Sequence, residues 1–220
     1  MNFSVSEENY IKGIYHLQSG EKLVNTNSLA VELNTKAASV TDMLKKLKSK
    51  KLIQYQRYHG FKLNDQGNRV ALNIIRRHRL WEFFLVSKLG FDWDKVHEIA
   101  EDMEHVSSPE LINRLDAFLG NPTIDPHGDP IPDSNGRVKL VPQLDLYNLE
   151  IDKMATVSAV GDQSSEIMEL LNHHGISLGS KLKVIKTFDF DGSREIKIMR
   201  KAPFIISAMV AKNIFVYDDK

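Results

Sequence analysis

Between Lys95 and His105 the chain places two imidazoles and four carboxylates at spacings that matter on a helix. At about 100° per residue, Val96, Ile99, Ala100 and Met103 gather on one side. His97, Glu101, Glu104 and His105 share a neighbouring arc, while Glu98 and Asp102 are left to solvent. A mixed nitrogen and oxygen set of this kind suits a first-row divalent metal such as manganese, iron or zinc. A second pair, His78 and Glu82, stands four residues apart and so on one face of another helical segment. Two antiparallel helices carrying such sets can close a metal site between them. The competing reading is a salt-bridge network built on Arg76, Arg77 and Arg79. A helical metalloenzyme stays open as a second class. No separate nucleophile or oxyanion motif accompanies the cluster, and the spacings support no Ser/His/Asp triad. His173 and His174 close a helical segment, where a cation favours the dipole, and read as structural. His16 flanks the first helix, His59 belongs to a turn, and Trp81 and Trp93 read as core.

The elements that must carry these groups begin with a DNA-reading pattern. Asn27 to Leu33 reads as a short helix, Asn34 as a turn residue and Ala37 to Lys50 as a second helix. Leu52 to Tyr55 and Phe61 to Leu63 follow as strands joined across a turn near His59-Gly60. Helix, turn, helix and hairpin together make a winged helix-turn-helix. From Lys36 to Lys62 there are eight basic residues against one acidic, Asp42. Lys36, Ala37, Ala38, Ser39, Thr41 and Asp42 occupy the start of the second helix, the end that meets base edges. They are small or polar and let the backbone approach; an alanine can touch a thymine methyl, and Ser39 or Thr41 can bond a phosphate or base. Lys46 on that helix and Arg57 in the wing are candidates for neutralising phosphates. The alternative is a solvated basic helix with no partner.

Composition narrows the class. The 29 basic and 29 acidic residues balance, so affinity for nucleic acid must come from local charge. There is no cysteine, which excludes disulfides, zinc knuckles and thiol catalysis and fits a cytoplasmic protein. No apolar run approaches the ~20 residues of a membrane span, and the first residues do not resemble a signal peptide. Three segments are expected: 1–65, DNA-binding; 66–140, helical, ending in a loop rich in Pro, Gly and Asp; and 141–220, small and mostly β. Ser6 is the expected cap of the first helix, which buries Tyr10, Ile11, Ile14, Tyr15 and Leu17. Gly67 to Leu89 reads as one long helix, the site-bearing helix starts near Asp94, and Ser108 caps a third. In the last segment Lys181 to Lys186, Glu195 to Met199 and Ile214 to Tyr217 read as strands, and Gln163 to His174 as a helix stopped by Gly175.

Together these residues resemble the diphtheria toxin repressor family of metal-dependent repressors, in its three-domain form. The resemblance rests on Tyr10-Ile11-Lys12-Gly13-Ile14-Tyr15, Arg77-His78-Arg79-Leu80-Trp81-Glu82, Lys95-Val96-His97 with Glu101 and Glu104-His105, and Asp125-Pro126-His127-Gly128-Asp129-Pro130-Ile131-Pro132. It implies an α+β chain: a winged helix-turn-helix, a helical dimerisation domain and a C-terminal SH3-like small β-barrel, as in ferrous-iron transport proteins. It implies one metal site at His78, Glu82 and His97, with Gln163 and Glu166 as positional candidates from the last domain. The other site would use Glu101, Glu104 and His105, completed from the first helix at Asn9. Asn9 departs from the aspartate of manganese-type members and the methionine of iron-type members. Lys12 departs from a carboxylate used by some two-domain manganese members.

The expectation is a non-enzymatic cytoplasmic homodimer that binds operator double-stranded DNA, represses metal-uptake genes, and takes neither a membrane nor a small-molecule substrate as partner. Mn(II) is the expected corepressor, Fe(II) the close second, and Zn(II) or other divalent ions are surrogates. Iron-responsive relatives usually place a cysteine where this chain has Glu101, so the oxygen here favours the harder ion. A metal-independent DNA-binding protein is the remaining alternative.

Overall fold

Ser4, not Ser6, opens the first helix, α1 (Val5–Leu17). The Glu7 N–H donates to Ser4 Oγ at 3.3 Å and the Ser4 N–H to Glu7 Oε2 at 2.9 Å, a reciprocal capping box. The Ser4–Glu7 pair fits the capping-box pattern, whereas the residue three after Ser6 is Asn9, so the cap falls two residues earlier. This computed structural model describes residues 3–18, 23–56, 59–105, 108–139, 144–161, 164–199 and 201–218. They divide into two compact units: 1–78 with 101–118 and 132–138, and 79–100 with 119–131 and 139–220.

In the first unit Tyr10, Ile11 and Ile14 of α1 are buried, and Tyr15 and Leu17 pack against them half-buried. Helix α2 (Thr26–Glu32) starts earlier than its hydrophobic pattern suggests, because Asn25 Oδ1 accepts from the Ser28 N–H at 2.8 Å. Asn34 turns the chain at φ 45°, and α3 (Ala37–Ser49) follows. Val40, Met43, Leu44 and Leu47 face inward from α3. The wing is β1 (Ile53–Gln56) against β2 (Gly60–Leu63), antiparallel with Ile53 opposite Leu63. Val24 pairs with Phe61 on the outer side of β2. Phe61, fully buried, completes the core with Leu29, Leu52, Ala71 and Ile74. Helix α4 (Asp65–Leu89) and helix α5 (His97–His105) each run from one unit into the other. Helix α6 (Pro109–Phe118) starts where expected, with Ser108 Oγ accepting from the Leu111 N–H at 3.2 Å. Arg76 of α4 donates to Asp116 at 2.6 Å and Asn113 at 3.2 Å, fastening α6.

The second unit holds a six-stranded antiparallel sheet of order β3-β8-β4-β5-β6-β7. Its strands are β3 (Leu144–Asp145), β4 (Met154–Val160), β5 (Lys181–Thr187), β6 (Arg194–Ile198), β7 (Phe204–Ile206) and β8 (Ile214–Asp218). Leu182 and Val184 of β5 alternate into the core with Ile196 and Ile198 of β6. Strand β4 was not legible as a period-two run; almost all of it is buried, so it reads as continuously apolar. Helix α7 (Ser165–His174) lays Met168 and Leu171 on this core and ends at Gly175, φ 66°, as expected. Helix α8 (Ala208–Asn213) precedes β8. This is the small SH3-like β domain the resemblance implies. Among the described residues no helix is long and apolar enough to cross a membrane.

Candidate metal centres and nucleic-acid face

In the first unit α1, α4 and α5 bring a dense polar cluster together. Glu104 has no solvent exposure, and both its oxygens are used. Oε2 lies 2.8 Å from His78 Nδ1, and Oε1 accepts from the Lys12 ammonium at 2.8 Å. Burial pushes the Glu104 carboxyl upward, but His78 and Lys12 outweigh it and hold it below the usual carboxylate range. An ionised carboxylate only accepts, so His78 donates to it from Nδ1. Lys12 also donates to Glu101 Oε1 at 2.9 Å. One turn earlier on α1, Glu8 binds His105 Nδ1 at 2.7 Å and Arg77 at 2.7 Å.

Two buried acceptor atoms here have no hydrogen-bond partner: Asn9 Oδ1 and His105 Nε2. The second lies 3.5 Å from Glu104 Oε1. Leaving a buried polar atom unmade costs about 1–3 kcal/mol, so each such atom requires an explanation. Both belong to the set the resemblance implies for a metal, and an amide oxygen and an imidazole nitrogen, the latter beside Glu104, are donors that fit a divalent cation. Glu101, Glu104 and His105 do not by themselves close into a three-donor set within 4.8 Å.

In the second unit Glu82, Asp125 and His127 place donor atoms within 4.8 Å of one another, all three buried. His127 Nε2 meets the Trp93 carbonyl at 2.8 Å and must donate to it, leaving Nδ1 turned to Glu82 Oε2 at 3.6 Å. His97 Nδ1 lies 3.2 Å from Glu82 Oε1. Asp125 Oδ1 accepts from the backbone N–H groups of His127, 2.8 Å, and Asp129, 2.9 Å. Its Oδ2 faces Arg79 Nε at 3.4 Å without a hydrogen bond. Burial first, and then the charges of Glu82 and Asp129, push the Asp125 carboxyl up to about 7. Burial lowers the His127 pKa, yet the facing carboxylates of Glu82 and Asp125 outweigh it and raise it. Acidic groups thus face one another out of water here, an arrangement that a divalent cation would relieve.

The loop that brings Asp125 and His127 to Glu82 is held by its backbone. The His127 carbonyl accepts from Val160 of β4 at 2.9 Å. Gly128, at φ 90°, lies so close to Ser158 and Ala159 that any side chain would collide with them. Spacing on the helices pointed to Glu82 but missed Asp125 and His127, which sit in an irregular loop. Their only signal was the unusual run Asp125 to Pro132 itself. Of the other expected residues, His78 stands one turn before Glu82 along α4. Glu166 is exposed in the first turn of α7 and does not join the three donors, and Gln163 lies outside the described residues. The arginines do form ion pairs, Arg76 with Asp116, Arg77 with Glu8 and Arg79 with Asp129. His174 stacks on Phe204 at 4.5 Å, in keeping with a structural role.

On α3 the expected DNA-facing residues Lys36, Ala37, Ala38, Ser39, Thr41, Asp42 and Lys46 are all exposed. The Thr41 hydroxyl donates back to the Ala37 carbonyl at 3.0 Å, and Asp42 pairs with Lys45 at 2.9 Å. Thr41 therefore presents its oxygen as an acceptor, and the pair removes one cation from the basic surface. Arg57 lies outside the described residues.

Known proteins share these features along most of the chain. A family model described as the iron-dependent repressor N-terminal DNA binding domain matches residues 2–61. The iron-dependent repressor metal binding and dimerisation domain matches 64–133, and the FeoA domain matches 144–218. A probable metal transport system membrane protein of Chlamydia trachomatis is 46% identical over 74 residues, 34% of this chain and 16% of that protein. The iron-dependent repressor IdeR of Mycobacterium tuberculosis is 31% identical over 125 residues, 57% of this chain. The matched stretch spans 54% of IdeR's length and a smaller share of the transport protein. A solved manganese-dependent transcriptional repressor in complex with manganese superposes with a TM-score of 0.85 at 35% identity, covering 96% of this chain and 99% of its own. From the winged helix through the two carboxylate–imidazole clusters to the C-terminal β domain, the chain belongs to the diphtheria toxin repressor family.

Proposed function

We propose that the chain is a divalent-metal-dependent transcriptional repressor, a cytoplasmic homodimer that binds operator DNA when loaded with metal and controls metal-uptake genes. The observation that carries the reading is the pair of buried, unpartnered acceptors Asn9 Oδ1 and His105 Nε2. Asn9 lies on α1 and His105 on α5, where its Nε2 stands 3.5 Å from Glu104 Oε1. One centre would be held by Asn9, Glu101, Glu104 and His105. The other would be held by Glu82, Asp125 and His127, with His97 beside Glu82. A divalent ion held there would supply the positive charge that neutralises these carboxylates.

The chain's own residues do the rest. Glu8 orients His105 through Nδ1, fixing the tautomer that leaves Nε2 as the donor atom. His78 fixes Glu104 in the same manner. Helix α1 packs on α2, α3 and β2, so a restraint on Asn9 is a restraint on the reading head. In a homodimer, holding the two α3 helices at one spacing matches them to successive major-groove turns. A helical metalloenzyme finds no support in either cluster: each is made of ligating and charge-balancing groups, with no separate nucleophile.

For the metal we favour Mn(II), with Fe(II) next and Zn(II) as a surrogate. The proposed sets are rich in carboxylate and amide oxygen and contain no sulfur, which suits a hard ion. Manganese is also the ion of the solved relative. The test titrates operator binding with Mn(II) and, anaerobically, with Fe(II), each with a chelator control, for the parent and Glu101→Cys. Activation by Mn(II) at cellular concentrations, shifting toward Fe(II) in Glu101→Cys, is the expected result. Operator binding indifferent to chelator would refute metal dependence. Fe(II) activation of the parent at far lower free metal, with no shift in the variant, would refute the manganese assignment.

A further inference from the structure

We infer that Lys12 is a tethered cation that competes with the metal for Glu101 and Glu104, raising the metal concentration this centre needs. The inference rests on the metal centre proposed above and adds to it a residue that is not a ligand. The Lys12 ammonium lies 2.9 Å from Glu101 Oε1 and 2.8 Å from Glu104 Oε1, distances of charge-assisted hydrogen bonds. Its side chain is 13% exposed and that of Glu104 is fully buried, so water screens the contact little.

Helix α1 decides where the ammonium stands. Glu8, one turn before Lys12, fastens α1 to His105 at 2.7 Å and to Arg77 at 2.7 Å. Glu104 cannot turn away, because His78 holds its other oxygen. The oxygen taken by Lys12 is also the one 3.5 Å from the unpartnered His105 Nε2. A divalent cation held by His105 and Glu104 would compete with the ammonium for the charge of that oxygen, and a four-carbon stem lets the ammonium move aside while it stays charged. The same contact ties α1 to α5 through Lys12. Lys12 therefore stabilises the metal-free junction and weakens metal binding there.

The experiment uses the full chain with Lys12→Met, which keeps length and removes charge, and Lys12→Arg, which keeps charge. Mn(II) binding is measured by calorimetry for each variant, and again for Lys12→Met in a His105→Ala background as a double-mutant cycle. Lys12→Met is expected to bind at this centre about tenfold more tightly, about 1.4 kcal/mol. Lys12→Arg should stay near the parent, and the gain should vanish without His105. In chelator, Lys12→Met should melt below the parent and gain more from added Mn(II). Should it be unfolded in chelator, recovery of its helical circular dichroism by Mn(II) is the same result, and failure to recover overturns the inference. Equal Mn(II) affinity in parent, Lys12→Arg and Lys12→Met overturns it while leaving the metal centre standing. Mn(II) uptake by none of them removes the centre and the inference together.

Discussion

Asp125→Asn should stabilise the metal-free protein at alkaline pH, the reverse of what deleting a useful carboxylate usually does. Asp125 is 3% exposed and shares its surroundings with Glu82 and Asp129. Its carboxyl is pushed from an ordinary 3.8 up to about 7. At about 1.4 kcal/mol per pKa unit, the ionised form costs at most about 4 kcal/mol relative to the unfolded chain. Arg79 and His127 respond to the charge, so the expected gain is about 1–4 kcal/mol. The direction with pH is set by the raised value. Below about pH 4 the carboxyl is neutral in both states and parent and variant differ little. The cost then accrues as pH rises toward 7 and is complete above it. Asparagine keeps Oδ1 as acceptor for the His127 and Asp129 N–H groups, so the loop retains its turn. Urea unfolding in chelator at pH 4.5 and pH 8, followed by circular dichroism, measures the difference as ΔG by linear extrapolation. With Mn(II) the order should invert, since a metal bound by the parent stabilises it by mass action and the variant lacks a charged ligand. A variant less stable than the parent at pH 8 in chelator would refute the reasoning. It would mean that Arg79, 3.4 Å away, compensates the buried charge after all.

Lys36→Ala should weaken operator binding across sequences and reduce the slope of log K against log salt by about one, with Mn(II) affinity unchanged; an unaltered slope would place the phosphate contacts elsewhere. His105→Ala should abolish metal-stimulated DNA binding, while His173→Ala leaves it intact, as read by electrophoretic mobility shift with and without Mn(II). Equal loss in both variants would point to general destabilisation, and equal retention would remove His105 from the centre.

Helix periodicity carried the sequence a long way. His97, Glu101, Glu104 and His105 share an arc because a helix repeats every 3.6 residues, and α5 does carry them. The winged helix-turn-helix was legible for the same reason, since its helices are amphipathic and its turn residue Asn34 adopts the φ its type tolerates. Strands β3, β4 and β7 and helix α8 were not, because short or fully buried elements carry no alternation to read. What no local pattern could supply is which distant groups meet. Lys12 and Glu101 are 89 residues apart, and nothing in their neighbourhoods ties an ammonium to that carboxylate. Asp125 and His127 reach Glu82 only because Gly128 lets the loop press against β4 and Val160 holds the His127 carbonyl. By itself the sequence determined the donor types, their spacing along each helix and the basic face of α3. The tertiary structure decided which donors are desolvated together and which cation answers them, because burial and close approach between distant segments exist only once the chain has closed.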